Sequence, residues 1–329
     1  MTSLPPRAQR LAVVVVDWNA GELVERCLAA LSRQTVWPGT VMVVDNASES
    51  ETWRHVIPGE LPIGMVRLSG NSGFAAGTNR GVALVPDIDW LAMLNPDAFP
   101  EPTWLERLLA AAGAHPEYSS FASRQLVADD PATVDGCGDA YSVSGFAWRR
   151  DWGKPSSEAG WETEEVFGPC AAAALYRRDA LEAVGGLDES FFCYFEDVDL
   201  AFRLRLAGHR CLYVPDAVVH HVGSATSGRR SDFAVYHGHR NLVWTFVKNM
   251  PGPLLAMYWP HHLLLNLVSL VWFTLRGQGR AIWKAKCDAL RGLPRVLRQR
   301  REIQARRRVG SWELRRLMVT GWRGFGLGR

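Results

Sequence analysis

The sequence contains no CxxC pair. Its six cysteines, at 27, 137, 170, 193, 211 and 287, are scattered. That spacing excludes a compact zinc site and predicts free thiols in a reducing compartment. The first ten residues, MTSLPPRAQR, lack the apolar run of a secretory leader and read as a short disordered leader, residues 1–10. No GxxxxGK[ST] occurs, so there is no P-loop, and no GxGxxG follows a strand, which disfavours a dinucleotide fold. Charge balance is lacking too. Residues 276–329 carry 16 Lys or Arg against 3 acids, a local +13 in a chain whose net charge is +3, so residues 1–275 carry −10. An acidic body with a basic tail predicts that the tail meets an anionic surface. Membrane and nucleic acid both satisfy that description. With 329 residues, 47% hydrophobic and 22% charged, the chain has the makings of one large folded domain or two ordinary ones.

What is present is a strand–helix rhythm. LAVVVVDWN (11–19) is a continuous apolar run closed by polar residues, the pattern of a strand covered on both faces. GELVERCLAALSRQ (21–34) sets Leu23, Cys27, Leu28 and Leu31 on one helical face. TVMVVDNAS (40–48), MVRLSGN (65–71) and DWLAMLNPD (89–97) read as further strands, with GFAAGTNRGVALV (73–85) opening a helix. This alternation predicts a doubly wound α/β sheet. Ligands of such sheets bind beyond the carboxyl ends of the strands, where Asp17, Asp45, Asn46, Asn71, Asn95 and Asp97 fall. Residues 129–165, rich in Gly, Ser, Asp and Trp, read as a long irregular loop of functional use. Residues 168–192 read as a strand, a helix ended by Gly185-Gly186 and a loop; 197–208 as a helix; 209–226 as holding at least one strand.

From residue 253 the character changes. PLLAMYWPHHLLLNLVSLVWFTLR (253–276) has the length of a membrane span, but Pro260, His261, His262 and Asn266 interrupt it. A span needs about 20 mostly apolar residues. The polar centre favours an interfacial or re-entrant helix, with a core helix pair as the soluble alternative. The following RQRREIQARRR (298–308) suits the cytoplasmic side of a membrane or a solvated helix face.

Four motifs carry candidate chemistry. VVDNAS (43–48) offers groups for a base and ribose, or simply a turn. NSGFAAGTNRG (71–81) is a helix start that can face a phosphate or sugar. LNPDAF (94–99) sets Asn95 and Asp97 on one side of an extended chain, suited to Mg²⁺ held jointly with substrate phosphates or to an Asx turn. FFCYFEDVDL (191–200) puts Glu196, Asp197 and Asp199 at a helix start behind aromatics. These acids can cap the helix, bind a metal or act as a base. The helix dipole favours an ionised Asp197 and burial opposes it.

In order, VVVVDWN, VVDNAS, NSGFAAGTNRG, LNPDAF, the 167–215 block and VVHHVGSAT resemble an inverting family 2 glycosyltransferase of the GT-A fold, over roughly residues 11–250. More narrowly they resemble the rhamnosyltransferase-like members that build bacterial surface polysaccharide. The resemblance implies a GT-A type mixed or parallel sheet flanked by helices, with nucleotide binding in 11–125, acceptor binding and catalysis in 126–250, and a helical membrane-associating tail over 251–329. It implies a nucleoside-diphosphate sugar donor, with dTDP-L-rhamnose favoured. It also implies a lipid-linked or polysaccharide acceptor, no nucleic acid partner, and work at the cytoplasmic face of the membrane, whose anionic surface 253–329 would meet. Asp17, Trp18, Asn19, Asp45 and Asn46 would hold the nucleotide. Asn71, Gly73, Phe74, Gly77, Asn79 and Asn95 would lie by the diphosphate and sugar, with Arg240 reaching for the diphosphate. Asp97 matches the last acid of the family's DxD motif, Asn95 replacing the first. With His221, and His220 as runner-up, it would bind Mg²⁺ or Mn²⁺. Asp197 of the ED motif would be the base, beside Glu196. A nucleotidyltransferase and a non-catalytic carbohydrate- or membrane-binding relative remain the alternatives.

Overall fold

A computed structural model describes residues 5–49, 61–223 and 231–320. Residues 1–4 of the expected leader, Ser224, Ala225 and Thr226 of the last motif, and the tail end 321–329 lie outside the described residues. The first strand, β1, spans Arg7–Asp17, so residues 7–10 pair in the sheet rather than forming a leader. Its side chains alternate between two cores. Leu11, Val13 and Val15 face one apolar layer, and Val14 and Val16 face the other. Both faces are covered, which is why the run is apolar at every position. Helix α1 (Glu22–Ser32), β2 (Trp37–Asp45), β3 (Ile63–Arg67), α2 (Gly73–Ala83) and β4 (Trp90–Leu94) follow. Strands β1, β2, β3 and β4 are parallel, with Asp17 opposite Asp45 in register. The polar strand ends therefore line up along one edge.

The second half extends the same sheet with strands of both directions. After β5 (Ala98–Pro100) and α3 (Trp104–Ala114) come β6 (Ser120–Val127), β7 (Asp130–Cys137), β8 (Asp139–Tyr141), β9 (Ala147–Arg149), β10 (Glu164–Val166), β11 (Ala173–Arg177), α4 (Arg178–Ala183), α5 (Glu196–Leu206) and β12 (Cys211–His221). The strand order is β10-β12-β6-β11-β4-β1-β2-β3, with β5 on β12 and β7 on β6. Strand β11 runs antiparallel between β4 and β6. The sheet is mixed, with α1 and α3 on one face and α2, α4 and α5 on the other. Residues 129–165, expected as an irregular loop, instead contain β7, the β8–β9 hairpin and the start of β10. Three-residue strands are too short to show an alternating pattern in the sequence.

Among the described residues five helices follow: α6 (Asp232–Asn249), α7 (Gly252–Phe273), α8 (Gly279–Arg291), α9 (Leu293–Ala305) and α10 (Ser311–Arg316). The run from Gly252 to Arg291 is long and apolar enough to cross a membrane by length and composition. Between α7 and α8 the chain turns at Gly277, whose φ of 84° suits a residue without a Cβ. The basic stretch is no free tail. Gln299 donates to Asp188, Gln304 to the Asn249 carbonyl and Arg300 to the Val247 carbonyl. Leu314 and Met318 share a core with Phe202 and Leu206 of α5.

Candidate active site

The aligned strand ends open onto a cleft with two chambers. The first, about 180 Å³, is lined by Trp18, Asn46, Asn71, Gly73, Asp97 and His221, among others. The second, about 300 Å³, is lined by Asp139, Trp148, Glu196 and Asp197, among others. Phe74, Asn95, Arg149, Cys193 and Tyr194 border both. Residues from both halves of the chain thus build each chamber.

In the first chamber His221 Nε2 lies 3.3 Å from Asp97 Oδ1, while Nδ1 meets Asp135 Oδ2 at 2.7 Å. The imidazole is almost wholly buried, and its Nε2 has no hydrogen-bond partner of good geometry. Burial lowers its pKa, but the hydrogen bond to Asp135 and the nearby Asp97 carboxylate outweigh that and hold it above the ordinary histidine value. The neighbouring His220 points the other way along the strand and meets Glu101 at 3.1 Å, which removes it as runner-up. An under-partnered imidazole nitrogen beside a carboxylate, backed by a second acid, is a donor set a divalent cation fits. Among the described residues no group of three His, Cys, Asp or Glu side chains could hold a metal ion, so substrate oxygens or water would complete the shell.

The second chamber is organised differently. Phe192, Tyr194 and Phe195 all have left-handed backbones, with φ of 66°, 67° and 67°. Non-glycine residues hold such angles only when their surroundings impose them. Asn241 of α6 imposes them here. Its amide donates to the carbonyls of Phe191, Cys193 and Tyr194 at 2.9, 3.0 and 2.7 Å. This bend turns the chain into α5 and delivers Glu196 and Asp197 to the cleft. Asp197 accepts from the backbone N–H groups of Ala171 and Val198 at 3.2 and 2.8 Å. Burial nevertheless raises its pKa, outweighing those bonds and nearby Arg149. Glu196 is buried, with one carboxyl oxygen unpartnered, and burial and Asp197 drive its pKa well up. Asp199 faces inward to Arg203, Lys248 and Asn249; its role is structural.

Several expected ligands have partners within the scaffold. Asp17 and Asp45 are fully buried and accept from the Ala20 and Ser48 N–H groups in turns behind the first chamber. Burial lifts Asp17 to about 6. Asn19 bridges to Ser48 and Glu49. Asn46 holds Asn71, Ser72 and Gly73 while still lining the cleft. At Gly73, φ is 87° and a Cβ would lie 2.5 Å from the Phe192 carbonyl oxygen. A Cβ at Gly77 would strike Val16. Asn79 clamps the backbone of Leu187. Arg240 lines neither chamber; its guanidinium binds the Ser190 and Phe191 carbonyls and sits over Trp244. Sequence reasoning missed Arg149, Asp135 and Asp139. Arg149 pairs with Asp135 and lies 3.4 Å from His221 Nδ1. Asp139 is a buried acid whose pKa burial raises well above its usual range. All three sit in 129–165; Asp139 and Arg149 lie on three-residue strands that gave no register to read, and Asp135 on β7, within the stretch read as a loop.

Residues 6–241 match the model of the family described as glycosyltransferase like family 2. An N-acetylglucosaminyl-diphospho-decaprenol L-rhamnosyltransferase of Mycobacterium tuberculosis is 31% identical over 254 residues, 69% of this chain and 81% of that one. An O-antigen chain rhamnosyltransferase of Salmonella typhimurium is 27% identical, over 69% of this chain and 70% of its own. Among solved structures, a mannosyltransferase from Pyrobaculum calidifontis, in complex with GDP-Man and Mn²⁺, aligns with a TM-score of 0.51 at 18% identity, covering 90% of this chain and 84% of its own. That likeness speaks for the fold. The two-chambered cleft at the strand ends and the family match agree: this chain belongs to glycosyltransferase family 2, as a GT-A fold enzyme of the rhamnosyltransferase-like subgroup.

Proposed function

We propose that the protein transfers L-rhamnose from dTDP-L-rhamnose to a hydroxyl of a lipid-linked or growing surface glycan, with inversion at the anomeric carbon. One observation carries the mechanism. Asp197, a carboxylate with a raised pKa and an open face, looks into a chamber that joins the one holding Asp97 and His221. The donor nucleotide occupies the first chamber against Trp18 and Asn46, and the acceptor sugar enters the second between Trp148 and Tyr194. Asp197 takes the proton of the acceptor hydroxyl. That oxygen forms the new bond to the anomeric carbon as the bond to the diphosphate oxygen breaks. General base catalysis of this kind is worth roughly 10²–10⁴-fold. Asp97 and His221 would hold Mg²⁺ or Mn²⁺, which supplies counter-charge for the leaving diphosphate. Arg149, bordering both chambers, adds a fixed positive charge beside that diphosphate. Segments 11–125 and 126–250 both contribute to the donor chamber and to the acceptor chamber.

Support for rhamnose and for a lipid-linked acceptor comes from the mycobacterial relative's name. Support for a membrane location comes from the exposed apolar residues of α7 and the basic surface that follows. These features favour a peripheral, interfacial position on the cytoplasmic face. The test is a donor panel of dTDP-rhamnose, UDP-sugars and GDP-sugars with an N-acetylglucosaminyl diphospholipid. Release of nucleoside diphosphate is read with Mg²⁺ or Mn²⁺ and with chelator. Metal-dependent release of dTDP is expected. Turnover with only UDP- or GDP-sugars overturns rhamnose, and release of pyrophosphate overturns sugar transfer.

A further inference from the structure

A third cavity lies outside the cleft, among the C-terminal helices. It holds about 680 Å³ and is walled by α6, α7, α8 and α9. Leu255, Trp259, Leu263, Leu267, Leu290 and Leu293 give it a hydrocarbon surface. Of these, Leu267 and Leu290 are 51% and 64% exposed. Leaving so much apolar surface in water is costly. The lining includes no acid and one cation, Lys286. Its ammonium donates to Asn266 Oδ1 at 2.6 Å and the His239 carbonyl at 3.3 Å, leaving one of its three donor positions over. Burial lowers that ammonium to about 7, a cost that a neighbouring anion would remove.

The cavity shares a wall with the catalytic cleft. His262 of α7 stacks on Phe246 of α6 at 3.9 Å between ring centres, and both line the cavity. His262 Nδ1 donates to the Ser144 carbonyl, in the turn of the β8–β9 hairpin. At Gly145 in that turn a Cβ would lie 2.9 Å from the His262 ring and 3.0 Å from Phe246. The hairpin is thus seated directly on the cavity wall. Its other end presents Trp148 and Arg149 to the chamber of Asp197.

We infer that this groove receives the isoprenoid chain of a lipid diphosphate acceptor, its phosphate end toward Lys286, and so delivers the attached sugar past the hairpin to Asp197. The inference rests on the reading of the protein as a transferase acting on a lipid-linked acceptor. A hydrocarbon chain suits the leucine walls, an anion suits a lone cation, and the hairpin links the two sites.

The test uses the full chain and two synthetic acceptors, N-acetylglucosaminyl diphosphate on a citronellyl or on a decaprenyl chain, both dispersed in detergent. Leu267→Trp and Ala256→Trp fill the groove without touching the cleft. Each is expected to raise KM for the decaprenyl acceptor about tenfold, equivalent to about 1.4 kcal/mol. KM for the citronellyl acceptor and kcat for both should hold. Equal effects on the two acceptors, or none on either, overturn the proposal. Binding of radiolabelled decaprenyl diphosphate without donor should weaken by a similar factor, and flotation with anionic phosphatidylglycerol vesicles should not change. Lost flotation with intact decaprenyl diphosphate binding would assign the groove to the bilayer and overturn the proposal. If the parent protein glycosylates neither acceptor, the functional reading falls, and the binding measurement still decides the groove.

Discussion

The two chambers of the cleft are neighbours with opposite electrostatic designs. In the first, a carboxylate faces an imidazole backed by a second acid, and their hydrogen bonds raise the imidazole pKa despite its burial. In the second, three carboxyls, Asp139, Glu196 and Asp197, are buried more deeply than their hydrogen bonds compensate, and all three pKa values rise. One chamber sets a buried imidazole between two acids, which favour its protonated form. The other starves its acids of solvation, so their carboxyls hold protons more tightly than they would in water. A single dielectric environment cannot do both, and the loop at 192–195 separates them.

The severest test of this contrast is Asp197→Asn. It should lower kcat about 10³-fold, within the usual range for a general base, with donor KM unchanged in a nucleoside-diphosphate release assay. A loss below tenfold would mean the second chamber holds no base. Next comes the first chamber. His221→Ala should cost about 10²-fold in activity, and Asp135→Asn, which acts through the imidazole, about tenfold in Mn²⁺ affinity by activity titration. If Asp135→Asn leaves the Mn²⁺ curve in place, the backing acid belongs to the fold alone. Asn241→Ala strips the donor from three carbonyls of the dividing loop. It should lower stability by about 1–3 kcal/mol in denaturant unfolding and reduce turnover through both chambers together. The smallest effect is on pH. Asp197 must be ionised to act, so activity should fall as pH drops through its raised pKa, placing the acid limb above the ordinary aspartate value of 3.8. Arg149 lowers that pKa, so Arg149→Met should move the limb to higher pH. An unmoved limb would show that the arginine does not act on this base.

The sequence revealed the first chamber's strands and the acids of the second because both carry local signals. An apolar run such as 11–19 can only be a covered strand, and its polar end marks the ligand edge. The pairing of Asp97 with His221 is not local: it follows from β5 lying on β12, a contact between segments over 100 residues apart that no periodicity reports. For the same reason the internal partners of Asp17, Asp45 and Asn79 were not legible. Polar residues at strand ends and helix starts are equally suited to holding loops, and only the partners tell which. His220 and His221 are adjacent in the sequence; the resemblance ranked them, and the strand's alternation sends them to different partners. Arg149 was invisible because its strand is three residues long.

The shared core of α5 and the last helices has a practical consequence. Leu314 and Met318 pack beneath Phe202 and Leu206, and buried Lys248 of α6 joins Asp199 on α5 to Asp188, the partner of Gln299 on α9. An enzyme shortened after residue 250 to escape detergent would leave the underside of the catalytic helix bare and take the Gln299 amide away from Asp188. Solubility is therefore better sought by recoating α7 from outside, replacing exposed leucines with polar residues one at a time.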